Sequence, residues 1–143
     1  MLIGIASDHG GYELKSQIIK KFNTLHLLDL GTNSNDRTDY PLIADHMCNR
    51  IQSKELDNGI LICGTGIGIS IRANRFNGIR AALVYSEYTA KMAKAHNNAN
   101  IICLGGRTTS LENALTIIQL WLDTPFEYGR HLNRIEQLDR KTN

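Results

Sequence analysis

The chain has 143 residues, of which 42% are hydrophobic and 21% charged, as in an ordinary globular protein. A chain of this length can bury a core without a disulfide or a metal, so we expect a single domain over residues 1–143. The net charge is only +2 and the basic residues are scattered among acidic ones, which argues against a nucleic-acid partner.

The amino-terminal segment MLIGIASDHGG is apolar, but it has no preceding charged region and soon reaches Asp8 and His9. That pattern is typical of a buried first strand rather than a signal peptide. No apolar run approaches the ~18 residues of a membrane span. The three cysteines form no CxxC pair and are odd in number, which favours free thiols in a reducing cytosol. We therefore expect a cytoplasmic protein without a membrane partner.

Short apolar segments alternate with segments of helical spacing along the chain. Gly, Asn or Asp bounds each apolar segment, as for buried strands. This pattern predicts strands at residues 2–7, 25–30, 59–63, 79–84 and 100–104. Helices are predicted at 12–22, 41–53, 68–76, 86–95 and 110–123, with a last helix at 130–140. We expect the apolar side of that last helix, with Leu132, Ile135 and Leu138, to pack on a neighbouring helix or a second subunit.

Strand–helix alternation with short connections indicates right-handed crossovers and an α/β fold, with a parallel sheet covered on both faces. Ligands of such sheets bind beyond the carboxyl ends of the strands. The residues that follow the predicted strands are therefore the first candidates for a site.

The third predicted strand runs directly into a glycine-rich segment, Cys63-Gly64-Thr65-Gly66-Ile67-Gly68, and then a helix. Alternating glycines allow several backbone N–H groups to point one way at a helix N-terminus, which suits a phosphate or a developing oxyanion. Dinucleotide binding is the competing interpretation. However, GxGxxG would need glycine where Ile69 stands, and the segment does not open the domain, so we expect no nicotinamide cofactor.

Cys63 stands directly before these glycines. The helix dipole and the free N–H groups there favour its thiolate form. A cysteine in an apolar strand is more often a small core residue. We assign that core role to Cys48 and Cys103, and a functional role to Cys63.

Asp8 and His9 follow the first predicted strand. Asp8 is either a helix N-cap beside a glycine turn or, with His9, a ligand for hydroxyl and phosphate groups, and the sequence leaves both interpretations open.

His96 ends the fourth predicted helix, where a histidine is often only a favourable partner of the helix dipole. Arg130 and Arg134 share one helical face, which fits either a phosphate dianion or a solvated surface.

Arg107, after the last predicted strand, allows the same two interpretations, a phosphate ligand or a solvated surface residue.

Neither HxH, HExxH nor CxxC spacing occurs, and GxSxG is absent as well. Asp45 and His46 are sequence neighbours, so they point in different directions on a helix. We therefore expect no metal and no other cofactor.

Five segments occur in the same order as in a known family: SDHGG, GT..N.RTDYP, GILICGTGIGISI.AN.F.GIRA, HN.AN and, near the end, GR followed by a further R. Together they resemble the type B ribose-5-phosphate isomerase family, which includes the subunits of galactose-6-phosphate isomerase. The resemblance spans nearly the whole chain. Some relatives use a glutamate in place of the strand-end cysteine, but residues 64–69 contain no acid here.

The resemblance implies a Rossmann-like, three-layer α/β/α sandwich with a five-stranded parallel sheet and an extra C-terminal helix. It also implies a homodimer or dimer of dimers that interconverts ribose 5-phosphate and ribulose 5-phosphate through a cis-enediol, a metal-independent reaction of the pentose phosphate pathway. Cys63 would be the base, and His96 the acid that opens the furanose ring. Residues 64–68, including the Thr65 hydroxyl, would bind the enediolate end of the substrate. The remaining implied ligands are Asp8 and Asn97 for hydroxyls or the ring oxygen, His9, Arg107, Arg130 and Arg134 for phosphate, and Tyr40 for the cleft wall.

Two alternatives stay open, namely an isomerase of six-carbon sugar phosphates such as galactose 6-phosphate or allose 6-phosphate, and a non-catalytic sugar-phosphate-binding regulator. The topology also predicts that sites are shared between subunits. The fourth helix runs away from the carboxyl ends of the strands over about 15 Å, so His96 belongs at the opposite edge from its own Cys63. Arg130 and Arg134 should lie at that same edge, opposite the carboxyl ends of the strands.

Overall fold

The computed structural model describes residues 1–142, in which five strands and six helices alternate in the predicted order. The elements are β1 (Ile3–Ser7), α1 (Tyr12–Lys21), β2 (Leu27–Asp29), α2 (Tyr40–Gln52), β3 (Asn58–Cys63), α3 (Ile67–Ala73), β4 (Ala81–Leu83), α4 (Glu87–Ala95), β5 (Ile101–Gly105), α5 (Leu111–Asp123) and α6 (His131–Asp139).

All five strands are parallel, and their order in the sheet is β2-β1-β3-β5-β4. Helices α1, α4 and α5 bury their apolar side chains on one face of the sheet, around Trp121 and Ile18. Helices α2 and α3 cover the other face, around Met47 and Ile69. The predicted three-layer α/β/α sandwich with a five-stranded parallel sheet is therefore confirmed.

The two edge strands, β2 and β4, are shorter than predicted. An edge strand has one neighbour, so residues beyond the paired register leave the ladder. Helix α3 also ends earlier than predicted, at Ala73. There the Asn74 side chain donates to the carbonyls of Ser70 and Ala81 and accepts from the Ala81 amide, and these bonds turn the chain from α3 into β4.

The C-terminal helix α6 forms as predicted, and its buried residue is His131. The exposed fraction is 46% for Leu132 and 60% for Leu138. The partner expected for this apolar side is thus not supplied by residues 1–142. None of the helices within those residues is both long and apolar enough to cross a membrane.

The chain reverses direction across the sheet between β1 and β3. Helix α1 leaves β1 onto one face, whereas α3 leaves β3 onto the other, so a crevice opens between the ends of these two strands. Such a switch point is where ligands of parallel α/β sheets bind.

Candidate active site

One set of predicted site residues meets at this switch point, at the carboxyl ends of β1, β3 and β5. We call it the carboxyl-edge group. Asp8 directly follows β1, Cys63 ends β3, and Arg107 lies just after β5. The complete group is Asp8, His9, Tyr40, residues 63–68 and Arg107.

Cys63 lies at the bottom of the crevice, with 4% of its surface exposed. Its Sγ accepts a hydrogen bond of 3.1 Å from the Gly66 amide. This bond requires the chain to double back immediately after β3, and Gly66 does so with φ of +81°, a conformation that side chains disfavour. The glycine-rich segment therefore aims at least one N–H at the sulfur, as its sequence predicts.

The structure excludes one of the two interpretations of Asp8, the helix N-cap. Gly11, not Asp8, is the N-cap of α1. The Asp8 carboxylate accepts instead from the amides of Gly10 and Gly11, over 2.8 and 3.2 Å, through Oδ1. The glycine turn is thus fixed by Asp8, whose carboxylate sits at the crevice only 5% exposed.

His9 is oriented by the segment that precedes α2. The Thr38 amide donates to its Nδ1 over 3.1 Å. The Thr38 carbonyl lies 3.3 Å from the same nitrogen, so the shorter contact, in which the amide donates, favours the tautomer with its proton on Nε2. In that tautomer His9 can donate from Nε2 to an anionic ligand.

Arg107 crosses directly over the glycine-rich segment. Its amide donates to the Gly64 carbonyl over 3.0 Å, and a Cβ placed on Gly64 would lie only 2.9 Å from Nη1 of Arg107. The Gly106 amide donates to the Cys63 carbonyl over 2.8 Å. Because of these contacts the loop after β5 positions a guanidinium beside Gly64, the residue that follows Cys63.

Tyr40 closes the side of the crevice, since a Cβ placed on Gly68 would lie 2.5 Å from its ring. The loop between β2 and Tyr40 is tied to α1 by Lys15, a residue that sequence reasoning missed. The Lys15 ammonium, 1% exposed, donates to the Asp29 carboxylate over 2.6 Å and to the Thr32 carbonyl over 2.7 Å.

Cys48 and Cys103 are core residues, as predicted. Both are fully buried. Burial, followed by the nearby Asp45 carboxylate, raises the pKa of Cys48 to about 12. Burial also raises the pKa of Cys103 well above its ordinary value.

The other predicted residues, His96, Asn97, Arg130 and Arg134, lie at the opposite end of the sheet, and we call them the amino-edge group. Asn100 is the neighbour of Gly59 at the start of β3, and its carbonyl accepts from the Gly59 amide over 2.9 Å. Cys63 is four residues further along the same strand, about 13 Å away at the strand rise. Within one chain the loop after His96 therefore lies near the start of β3, whereas Cys63 lies at its end. The structure does not bring these two residues together.

The loop after His96 makes no excursion toward Cys63. The Arg80 guanidinium holds it by donating to the carbonyls of Asn97 and Asn98, over 2.9 and 3.2 Å, and pairs with Asp139 of α6. The Trp121 indole donates to the Ala99 carbonyl over 3.1 Å. Sequence reasoning missed Arg80 as the residue that fixes this loop.

A group of possible metal ligands occurs in the amino-edge region, although sequence spacing indicated none. His96, Glu127 and His131 have ligand atoms within 4.8 Å of one another. Motif spacing could not reveal this group, because its members are not arranged in a metal-binding sequence motif. Glu127 and His131 stand at i and i+4, but His96 is distant in sequence and joins them only through the fold.

Comparisons of the sequence and of the structure with known proteins lead to the same family. The family described as Ribose/Galactose Isomerase matches residues 3–138. Ribose-5-phosphate isomerase B of Escherichia coli strain K12 is 41% identical over 138 residues, which cover 95% of this chain and 93% of that protein. The solved ribose-5-phosphate isomerase B of Clostridium thermocellum is 45% identical with a TM-score of 0.94, and the match covers 97% of this chain and 95% of that one.

A third relative was solved with a ligand. The ribose-5-phosphate isomerase B of Mycoplasma genitalium, with bound ribulose-5-phosphate, is 40% identical with a TM-score of 0.89. The match covers 96% of this chain and 93% of that one.

Proposed function

Because the chain belongs to the Ribose/Galactose Isomerase family, we propose that it interconverts ribose 5-phosphate and ribulose 5-phosphate through a cis-enediol, without a metal. The observation that carries this proposal is the position of Cys63. Cys63 ends β3 at the switch point of the sheet, Asp8 follows the neighbouring strand β1, and the Cys63 sulfur accepts a hydrogen bond from the Gly66 amide. The bound ribulose-5-phosphate of the Mycoplasma relative supports the same class of ligand.

In the proposed reaction the Cys63 thiolate removes the proton from C2 of the open-chain aldose. The C–H electrons form the C1=C2 bond, and the carbonyl oxygen takes up negative charge as an enediolate. The hydroxyl proton on O2 then passes to O1, the O2 electrons re-form a carbonyl at C2, and the protonated sulfur returns a proton to C1, which gives the ketose and restores the thiolate. A positioned base of this kind contributes roughly 10²–10⁴-fold in rate.

The enediolate needs hydrogen-bond donors that are already in place. The N–H groups at the start of α3 have no partners within that helix, and they follow Cys63 within a few residues. One such donor contributes about 3–4 kcal/mol to the transition state. The Thr65 hydroxyl is exposed beside them and is available to a bound sugar.

The phosphate would be held by His9 and the arginines. His9 and Arg107 belong to the carboxyl-edge group, whereas Arg130 and Arg134 belong to the amino-edge group. Anchoring the phosphate far from the reacting carbon fixes that carbon against the sulfur, which raises the rate without new chemistry.

Two subunits would then complete each site, with His96 and Asn97 of one chain opposite Cys63 and Asp8 of the other. A two-fold dimer forms two such sites at once. Exposed apolar side chains at both ends support this arrangement. Ile67 and Ile71 are 51% and 63% exposed beside the glycine-rich segment, and Leu132 and Leu138 are exposed on α6.

The deciding experiment compares turnover of ribose 5-phosphate with that of galactose 6-phosphate and allose 6-phosphate, using purified protein. We expect the five-carbon substrate to give the highest kcat/KM. Preference for a six-carbon substrate would keep the mechanism and change the substrate. Binding of all three without turnover would identify a regulator and overturn the proposal.

A further inference from the structure

The side chains of His96 and His131 form a stacked pair beside Glu127. Their ring centroids are 4.3 Å apart and their planes differ by 17°. Both Nε2 atoms lie near the same oxygen of Glu127, at 3.7 Å from His96 and 3.4 Å from His131. Two imidazoles and one carboxylate around a common point are a ligand set that zinc uses in proteins.

The backbone fixes these three residues relative to one another. The Glu127 amide donates to the Ala95 carbonyl over 3.0 Å, so Glu127 is joined to the end of α4, where His96 begins the next turn. Tyr128 and Gly129 both have positive φ, of +60° and +52°. This tight turn folds the start of α6 back, and the His131 amide bonds the Tyr128 carbonyl within it.

We propose that His96, Glu127 and His131 form a binding site for zinc or a similar divalent transition metal, with water as the fourth ligand. Zinc bonds of about 2.0–2.1 Å in a tetrahedron place ligand atoms about 3.3 Å apart. The His131–Glu127 distance already matches this value, and the His96–Glu127 distance must shorten by a few tenths of an ångström.

The required adjustment falls on the residues that can move. The His131 side chain is only 5% exposed and provides the rigid anchor. The side chains of His96 and Glu127 are 35% and 52% exposed, so they can shift toward an ion that enters from solvent. The two rings must also lean together, because in a stacked pair their Nε2 lone pairs run side by side rather than converging.

Bound zinc would occupy Nε2 of His96. This consequence rests on the proposed function, in which His96 is the acid that opens the sugar ring. A nitrogen that holds a metal cannot donate a proton, so the ion would inhibit the isomerase rather than assist it. Binding itself does not depend on any activity.

Calorimetric titration tests the site directly. The full-length protein is dialysed against a chelator, returned to metal-free buffer and titrated with zinc chloride. We expect one ion per chain. Affinity should fall about tenfold or more in both His131→Ala and Glu127→Gln, since each loses one metal ligand. His26→Ala, which removes an exposed histidine elsewhere, should bind as the wild type does.

Glu127→Gln keeps the proposal open to refutation even if His131→Ala fails to fold, because Glu127 is on the surface. Absence of binding to the wild type, or wild-type affinity in Glu127→Gln, would overturn the proposal. A protein that binds zinc as expected but isomerises no sugar phosphate keeps the metal site and loses the proposed function. A protein that isomerises the sugar phosphate but binds no zinc would overturn only the proposed metal site.

Discussion

The Gly66 amide donates a hydrogen bond to the sulfur of Cys63, so the chain itself supplies a donor to the atom proposed as the base. Such a bond stays in place when the sulfur loses its proton, and it is stronger to an anion than to a neutral thiol. It also fixes the direction of the Cys63 side chain. The sulfur is thus oriented before any ligand enters the crevice.

Cys63→Ala is therefore expected to lower kcat for ribose 5-phosphate by roughly 10²–10⁴-fold, the contribution of a positioned base. Cys48→Ala and Cys103→Ala are the matched controls, because both thiols are buried core groups. They should change the free energy of unfolding and leave kcat close to the wild-type value. Initial-rate assays with thermal denaturation distinguish these effects. A near-normal kcat in Cys63→Ala would show that another residue is the base.

His96→Ala should separate ring opening from proton transfer. Ribulose 5-phosphate cannot form a furanose ring, since its O5 carries the phosphate. The variant should thus still exchange the C1 proton of ribulose 5-phosphate with deuterated solvent. Its turnover of ribose 5-phosphate should fall strongly. Proton exchange is followed by NMR, with Cys63→Ala as the control that loses both activities. Loss of exchange in His96→Ala would place His96 in the proton-transfer step itself.

Shared sites predict complementation between inactive variants. Cys63→Ala and His96→Ala proteins are unfolded together, refolded and assayed. Each mixed dimer would contain one doubly damaged site and one intact site. Random pairing makes about half of the dimers mixed, which gives roughly a quarter of wild-type activity.

The mixed dimers are verified by native mass spectrometry, and each variant refolded alone is the control. Mixed dimers that remain inactive would show that Cys63 and His96 serve the same site within one chain.

Removal of divalent metals should leave the isomerase reaction intact. In the proposed mechanism Cys63 moves the proton and backbone amides hold the enediolate, so no step needs an ion. Activity assayed in a strong chelator should equal or exceed that of untreated protein, and added zinc should lower it. Loss of turnover in chelator that one metal restores would contradict the enediol mechanism as stated.

Cys48 should make stability depend on alkaline pH. Burial raises its pKa from 9.0 to about 12. Between these values an unfolded chain releases a proton that the folded chain keeps. The free energy of unfolding therefore falls as pH rises from about 9, by up to about 1.4 kcal/mol per pH unit. Cys48→Ala lacks this contribution, so its stability relative to wild type should improve with pH. Denaturant titrations between about pH 8 and 10 measure this difference, and a pH-independent difference would contradict it.

The sequence was sufficient to place the carboxyl-edge group. All of its members except Tyr40 follow an apolar strand or lie in the glycine-rich segment, and parallel strands end at a common edge. Tyr40 was expected there only from the family resemblance. The opposite position of His96 also followed from the direction of α4. The ends of β2 and β4 could not be predicted, because apolar composition does not reveal which strands lie at the edges.

Contacts between distant segments were hidden for a related reason. Glu127 lies in a connection without helical or strand periodicity, and the hydrogen bond from its amide to the Ala95 carbonyl at the end of α4 brings it to His96. A lysine in an amphipathic helix, such as Lys15, is usually expected at the surface. Its burial depends on the path of the loop after β2, which supplies its Asp29 and Thr32 acceptors.

The short edge strands affect how two copies could associate. β2 and β4 have three residues each, so either margin of the sheet offers few free backbone groups to another chain. Joining two sheets edge to edge would gain little hydrogen bonding, and the same feature protects the protein against aggregation through strand addition. The proposed dimer would therefore be held by side chains of helices and loops. Its affinity would respond to substitutions at Ile67, Ile71 and Leu138 rather than to changes in β2 or β4.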